Sequence, residues 1–260
     1  MTGYPIRHPD ARRGVQSLYY FEKKLTLTSP GAARVRVLAD ARYKLWVNGR
    51  FVACGPCKGS RDRRFYDELD LTGYFMPGEN RIAVTLLSME SSDAMEAGHM
   101  SLLAVIRGAD AYFYLNGTVT DAGEEKPLVT DHTWRVARED HDTFTPQFFV
   151  GLNEHVTPGF GEVLAWIDAE TAPLGVLTEG DDVPFGEILS SYAAPRPIPQ
   201  MLYVPREFTY HDGYYDAGEL TTAYVRLTAR GKGTLTVRYG ECFVKGDDTH
   251  FEKGDRTDTT

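Results

Sequence analysis

Only three cysteines occur in 260 residues, too few for a disulfide framework, so a reducing compartment is the expectation. A surplus of basic residues is also missing. Lys and Arg number 28 against 37 Asp and Glu, and the net charge of −9 disfavours nucleic acid and anionic membranes as partners. No apolar run approaches the roughly 20 residues that a transmembrane helix needs. The first residues, "MTGYPIRHPDARRG", contain no apolar h-region, so no secretory signal is read and a cytoplasmic location is expected. A sustained 3.6-residue period is lacking too. The stretch "SMESSDAMEAGHM" accommodates a short helix at most, with a poor apolar stripe.

What the sequence does carry is period-two alternation. "KKLTL" puts Leu25 and Leu27 on one face, and "RVRVL" alternates Arg34 and Arg36 with Val35 and Val37. "YKLWV" separates Tyr43, Leu45 and Val47 from Lys44 and Trp46, and "RIAVTLL" aligns Ile82, Val84 and Leu86. "YVRL" and "TLTVRY" repeat the pattern near the end. Each run has the length of a half-buried strand. Asn48-Gly49 suits a type I′ hairpin and Pro77-Gly78 a type II turn, because these residues tolerate or impose the required φ values. Arg230-Gly231-Lys232-Gly233 reads as another tight connection. The fold class expected is all-β, an antiparallel β-sandwich followed by a second, incomplete one. The organisation expected is an N-terminal extension over 1–17 and a sandwich over 18–185. A Pro-rich linker, "SSYAAPRPIPQ", falls over 186–200, and a second β-domain starts at 201. Its roughly 60 residues fall short of the ~100 a sandwich uses, so the chain reads as the front of a longer protein.

The motif Cys54-Gly55-Pro56-Cys57 resembles a thioredoxin redox loop. That chemistry needs a helix N-terminus to lower the first thiol's pKa. Here the motif follows the Asn48-Gly49 hairpin closely, and Gly59 and Ser60 stand where the helix would consolidate. A thiol oxidoreductase is therefore disfavoured, and the motif reads as a loop shaped by Gly55-Pro56. The flanks offer no second cysteine pair or paired histidines to complete a zinc site. The seven histidines show no metal spacing, and there is no phosphate loop or GxGxxG. No cofactor and no metal site is assigned. "GDD" at 180–182 and 246–248 would be the places to look for Ca²⁺, although turns favour the same residues.

Glycoside hydrolysis needs two carboxylates about 5 to 10 Å apart across the scissile bond. Acidic residues are plentiful, but no pair stands out, and no catalytic residue is assigned. Sugar binding asks for an aromatic platform beside planar polar groups. The loop "GSRDRRFYDE" offers Arg61, Asp62, Arg64, Tyr66 and Asp67, and Trp46 belongs on the outward face of a nearby strand. The competing assignment has Phe65 and Tyr66 close the end of the sandwich while the charges pair with one another, and the balance favours it.

The segment from "ARVRVLADARYKLWVNGRFVACGPC" through "YDELDLTGYFMPGENRIAVTLL" resembles the accessory β-sandwich of carbohydrate-active hydrolases. Galactose-binding-like domains of β-galactosidases and β-glucuronidases share the pattern. The N-terminal region of bacterial α-L-rhamnosidases is the more specific resemblance. "LVTDHTWRV" is similar to the Asp-x-x-Trp segment that ends the first sandwich there, "PRPIPQM" to the linker, and "YYDAGELTTAYVRLTARGKGTLTVRYGE" to the next domain's opening strands. These stretches span most of 18–241. The resemblance implies a galactose-binding-like jelly-roll fold and a catalytic (α/α)₆ barrel as neighbour in a longer chain. It also implies a rhamnoside as the carbohydrate partner. Homo-oligomerisation through exposed strand edges stays open. The alternative is a stand-alone carbohydrate-binding module.

Overall fold

Alternating sequences need two apolar layers to bury their inner faces, and the chain supplies both. The computed structural model describes residues 3–12, 17–39, 41–57, 64–88, 111–139, 143–146, 152–155, 165–171, 193–201, 204–211 and 213–219, with separate stretches between 228 and 259. Among these every regular element is a strand. The chain forms two units, Met1–Met201 and Leu202–Thr260.

The first unit contains β1 (Ile6–Arg7), β2 (Ser17–Leu27), β3 (Pro30–Ala39), β4 (Arg42–Val47), β5 (Arg50–Gly55), β6 (Arg64–Asp70) and β7 (Gly78–Ser88). It continues with β8 (Tyr112–Asp121), β9 (Glu124–Val129), β10 (Arg135–Arg138), β11 (Thr143–Pro146), β12 (Leu152–His155), β13 (Ile167–Asp168), β14 (Glu170–Thr171) and β15 (Ala193–Pro195). One sheet runs β14-β1-β8-β3-β6-β15, with β9 also on β8. The other runs β13-β10-β2-β7-β4-β5. The pairings are antiparallel except β15 on β6, which is parallel.

The alternation is realised in both sheets. Val35 and Val37 are buried while Arg34 and Arg36 are exposed. Tyr43, Leu45, Val47, Ile82, Val84 and Leu86 all face inward. Phe113 of β8 crosses the gap between the sheets and meets Phe21, Tyr43 and Trp134 with ring centroids 6.0, 6.0 and 5.9 Å away. Among the strands that alternation did not single out is β8. Its Tyr112, Phe113, Tyr114 and Leu115 are all buried. Both of its faces are covered at that point, because Tyr112 and Tyr114 join Leu38, Tyr66 and Ala193 in a second cluster.

The motifs behind the resemblance turn out to be stitches. Asn48 (φ 51°) and Gly49 (φ 74°) make the expected left-handed turn between β4 and β5. Asn48 Nδ2 donates to the Tyr74 carbonyl at 3.0 Å and to Asn80 Oδ1 at 2.8 Å, and its Oδ1 accepts from the Arg81 amide at 2.9 Å. Asn80, from "PGEN", donates to the Met76 and Gly78 carbonyls across the Pro77-Gly78 turn. The two asparagines thus lock one turn onto the other. In "DLT", Asp70 Oδ1 accepts from the Thr72 amide at 2.9 Å, and Thr72 Oγ1 accepts from the Ala33 amide at 3.1 Å. In "DHTW", Asp131 accepts from the Thr133 amide at 2.9 Å and from Lys23 Nζ at 3.2 Å. Partial burial would raise the Asp131 pKa, but the Thr133 hydrogen bonds and the Lys23 charge outweigh it and hold the carboxyl below its usual value. Trp134 is fully buried, and its indole N–H donates to the Val129 carbonyl at 2.9 Å.

The second unit has β16 (Thr209–His211) paired with β17 (Tyr214–Asp216), β18 (Thr236–Tyr239) with β21 (Arg256–Thr259), and β19 (Phe243–Val244) with β20 (Asp247–Phe251). Among its described residues these are three separate antiparallel pairs. The expected strand at "YVRL" and the expected helix at "SMESSDAMEAGHM" lie outside the described residues, apart from Ser88 at the end of β7.

Candidate functional site

Asp67, Tyr43 and Arg196 converge between the two sheets. Asp67 sits on β6 opposite Val37, so its side chain points between the sheets rather than to solvent. It is 2 % exposed, and its two oxygens have different partners. Tyr43, from β4 of the other sheet, donates its hydroxyl to Oδ2, and Arg196 donates Nε to Oδ1. Arg196 also donates Nη2 to the Cys54 carbonyl at 3.2 Å, and its amide donates to the Tyr66 carbonyl at 2.9 Å. One carboxylate therefore joins both sheets, the end of β5 and the segment after β15.

Burial sets the electrostatics. Tyr43 has its pKa pushed well above the ordinary phenol value, by burial first and then by the Asp67 charge and hydrogen bond. Burial works against the Arg196 charge, but the bond to Asp67 and its charge prevail and raise the Arg196 pKa. Removing either partner of such a pair leaves an uncompensated buried charge, at a cost of about 3 to 5 kcal/mol.

This clamp explains the Cys-Gly-Pro-Cys motif. Gly55 ends β5 against the clamp, where an added Cβ would lie 2.6 Å from both Asp67 Oδ2 and Tyr43 Cε1. Only a residue without a side chain fits. Cys54 and Cys57 are thiols on either side, both half-buried, and the chain re-enters a strand at Arg64. The motif's first half, Cys54-Gly55, is the end of β5 paired with β4 rather than the loop expected from the sequence, and Gly55 marks a close backbone approach.

Of the six residues considered for sugar contact, Arg61 and Asp62 lie outside the described residues. Tyr66 is 8 % exposed, packed in the cluster with Leu38, Tyr112, Tyr114 and Ala193, and the Arg36 guanidinium lies 5.3 Å from its ring centroid. Tyr66 and Asp67 face opposite sides of their sheet, so they do not form one platform. With both oxygens bonded internally, Asp67 holds the fold rather than a hydroxyl of a ligand. Arg64 is half-buried at the start of β6. Trp46 stands apart on the outward face of β4, half-exposed, and meets Phe51 edge-on with ring centroids 6.1 Å apart.

Sequence reasoning missed Arg196 and the part played by Tyr43. In the "SSYAAPRPIPQ" stretch, read as a connection between domains, Ala193–Pro195 form β15, which pairs with β6 from Ala193↔Arg64 to Pro195↔Tyr66. Residues 193–201 are part of the first unit. A single basic residue amid three prolines was the only available signal.

Comparison with solved structures agrees with this architecture. The chain is similar to the GH78 family rhamnosidase of Bacillus sp. GL1, with 24% identity and a TM-score of 0.53. The match covers 76% of this chain and 20% of that one. More distant likenesses are to the α-L-rhamnosidase from Aspergillus terreus (16% identity, TM-score 0.48, 65% of this chain, 21% of that one) and to a lectin from Pleurotus ostreatus (16%, 0.43, 65% and 43%). The Bacillus likeness establishes a shared β-sandwich fold, and the chain spans about a fifth of that enzyme's length. No family model and no curated protein sequence matches the chain.

Proposed function

We propose that this chain is a non-catalytic β-sandwich region of a glycoside hydrolase acting on terminal α-L-rhamnosides. Its part is to hold a neighbouring catalytic helical barrel and to contact the saccharide. The carrying observation is the fold shared with a rhamnosidase over three quarters of this chain and one fifth of that enzyme. The clamp supports the same reading. It stitches residues 193–196, at the end of the first unit, onto β6 through β15 and the Arg196–Asp67 pair.

Two measurements test the reading. The genomic reading frame is expected to continue past Thr260 into a helical domain, and a natural stop codon there would sink the proposal. Purified chain incubated with p-nitrophenyl α-L-rhamnopyranoside is expected to release no nitrophenol. Turnover abolished by changing one acidic residue of this chain to its amide would place the active site here instead.

A further inference from the structure

The outer face of the six-stranded sheet carries a row of side chains that neither the core nor the clamp uses. The register sets Phe51, Trp46, Ala83, Glu22, Arg135 and Asp168 opposite one another across six strands. Directly opposed residues point to the same face. The neighbours Leu45, Val47, Phe21 and Val136 are core residues, so the row faces outward. At one end Trp46 and Phe51 form an aromatic ledge. Ala83 leaves a low, half-open floor beside it. Beyond the floor, the Glu22 carboxylate accepts from Arg81 Nε at 2.9 Å and lies 3.8 Å from Arg135 Nη1. Arg135 is held in turn by Trp166, donating to its carbonyl at 3.0 Å with the guanidinium 5.9 Å from the ring centroid.

We propose that this row is a binding site for a neutral pyranoside, with the sugar ring on Trp46 above Ala83 and its hydroxyls bonded by Arg81 and Arg135, which the Glu22 carboxylate holds in place. An indole face takes the C–H face of a sugar, and guanidinium groups bond its hydroxyls. The Trp46 and Glu22 positions are two strand spacings apart, about 10 Å, a span that one pyranose with its hydroxyls bridges. Each guanidinium has five N–H donors. The Arg81 and Arg135 side chains are 54% and 48% exposed, so donors remain available after Glu22 is satisfied. Within the row Glu22 and Asp168 offset Arg81 and Arg135, and Lys24, opposite Arg81 on the same face, adds one exposed cation beside it. Glu22 is only 7% exposed although it faces outward. A half-exposed ion pair returns little stability for that desolvation, whereas a buried carboxylate that fixes two half-exposed arginines preorganises their remaining donors for a ligand. The choice of sugar, and only that, rests on the rhamnosidase reading.

The test is titration of the whole chain with methyl α-L-rhamnopyranoside, D-galactose and D-glucose by calorimetry and ligand-observed NMR. Trp46→Ala is expected to weaken binding about tenfold, in line with loss of one aromatic contact. Trp46→Phe should restore most of it, and Ala83→Leu should abolish it by filling the floor. Arg64→Ala, on β6 of the other sheet, should leave it unchanged. Unfolding midpoints equal to the native chain's show that each variant is folded. Binding of galactose or glucose alone, lost in Trp46→Ala, upholds the site and sinks the rhamnoside reading. Binding indifferent to Trp46→Ala and Ala83→Leu, or no binding of any of the three sugars, overturns the site and leaves the rhamnosidase reading to its own tests.

Discussion

Two carboxylates, Asp67 and Glu22, are both nearly buried and both served by arginine, yet their settings differ. The partners of Asp67 are themselves inside. The Arg196 side chain is 13% exposed and Tyr43 1%. The partners of Glu22 are half in water. The difference teaches that the burial of the partner, not of the carboxylate alone, decides what an ion pair does. Where no water can replace a lost partner, the pair is structural. Where the arginines reach solvent, the pair is weak in stability but chemically available.

The largest expected effect is at the clamp. Asp67→Asn strands the Arg196 charge and should lower unfolding free energy by about 3 to 5 kcal/mol in a denaturant titration. A loss comparable to that at Glu22 would erase the distinction between the two sites. Next, Gly55→Ala drives a methyl into Asp67 and Tyr43 and should cost about 1 to 3 kcal/mol, the range of overpacking. A neutral outcome would mean that the end of β5 yields freely, and the motif would lose its explanation.

A smaller effect is expected from alkali. The Tyr43 pKa is raised in the folded chain, by burial and then by Asp67, and burial raises that of Tyr114 to about 12. Their stabilising contribution is complete below the unfolded phenol value of about 10. It falls as pH climbs through the folded values, because the unfolded phenols ionise first. Tyr43→Phe should flatten that decline without removing the part due to Tyr114. Identical pH profiles for the two proteins would show that Tyr43 is not held by the clamp. The smallest stability change is expected from Glu22→Gln, within about 1 kcal/mol, since Arg81 and Arg135 can turn to water. Its sugar affinity should nonetheless fall in the same titration. A large loss of stability would make Glu22 a second clamp.

The turns and strand faces were legible because they are local. Asn48-Gly49 demands its turn through backbone sterics, and Leu45 and Val47 share a face because side chains alternate. The candidate loop was legible as a composition but not as a place. Tyr66 and Asp67 are consecutive and so lie on opposite faces, and only the opposing sheet and β15 show that both faces are covered. Arg196 is 129 positions from Asp67 in sequence, and no periodicity links residues at that range. Trp46 was readable as outward-facing, but its row mates come from five other strands.

The sequence by itself therefore determined the all-β class, the hairpin and type II turns and the inner faces of the strands it marked, since each follows from neighbours a few residues apart. Which carboxylate became a buried anchor and which was left beside open floor was decided only by the tertiary structure. Strand order sets those environments, and a carboxylate's role follows from the charges and water that distant segments bring to it or keep away.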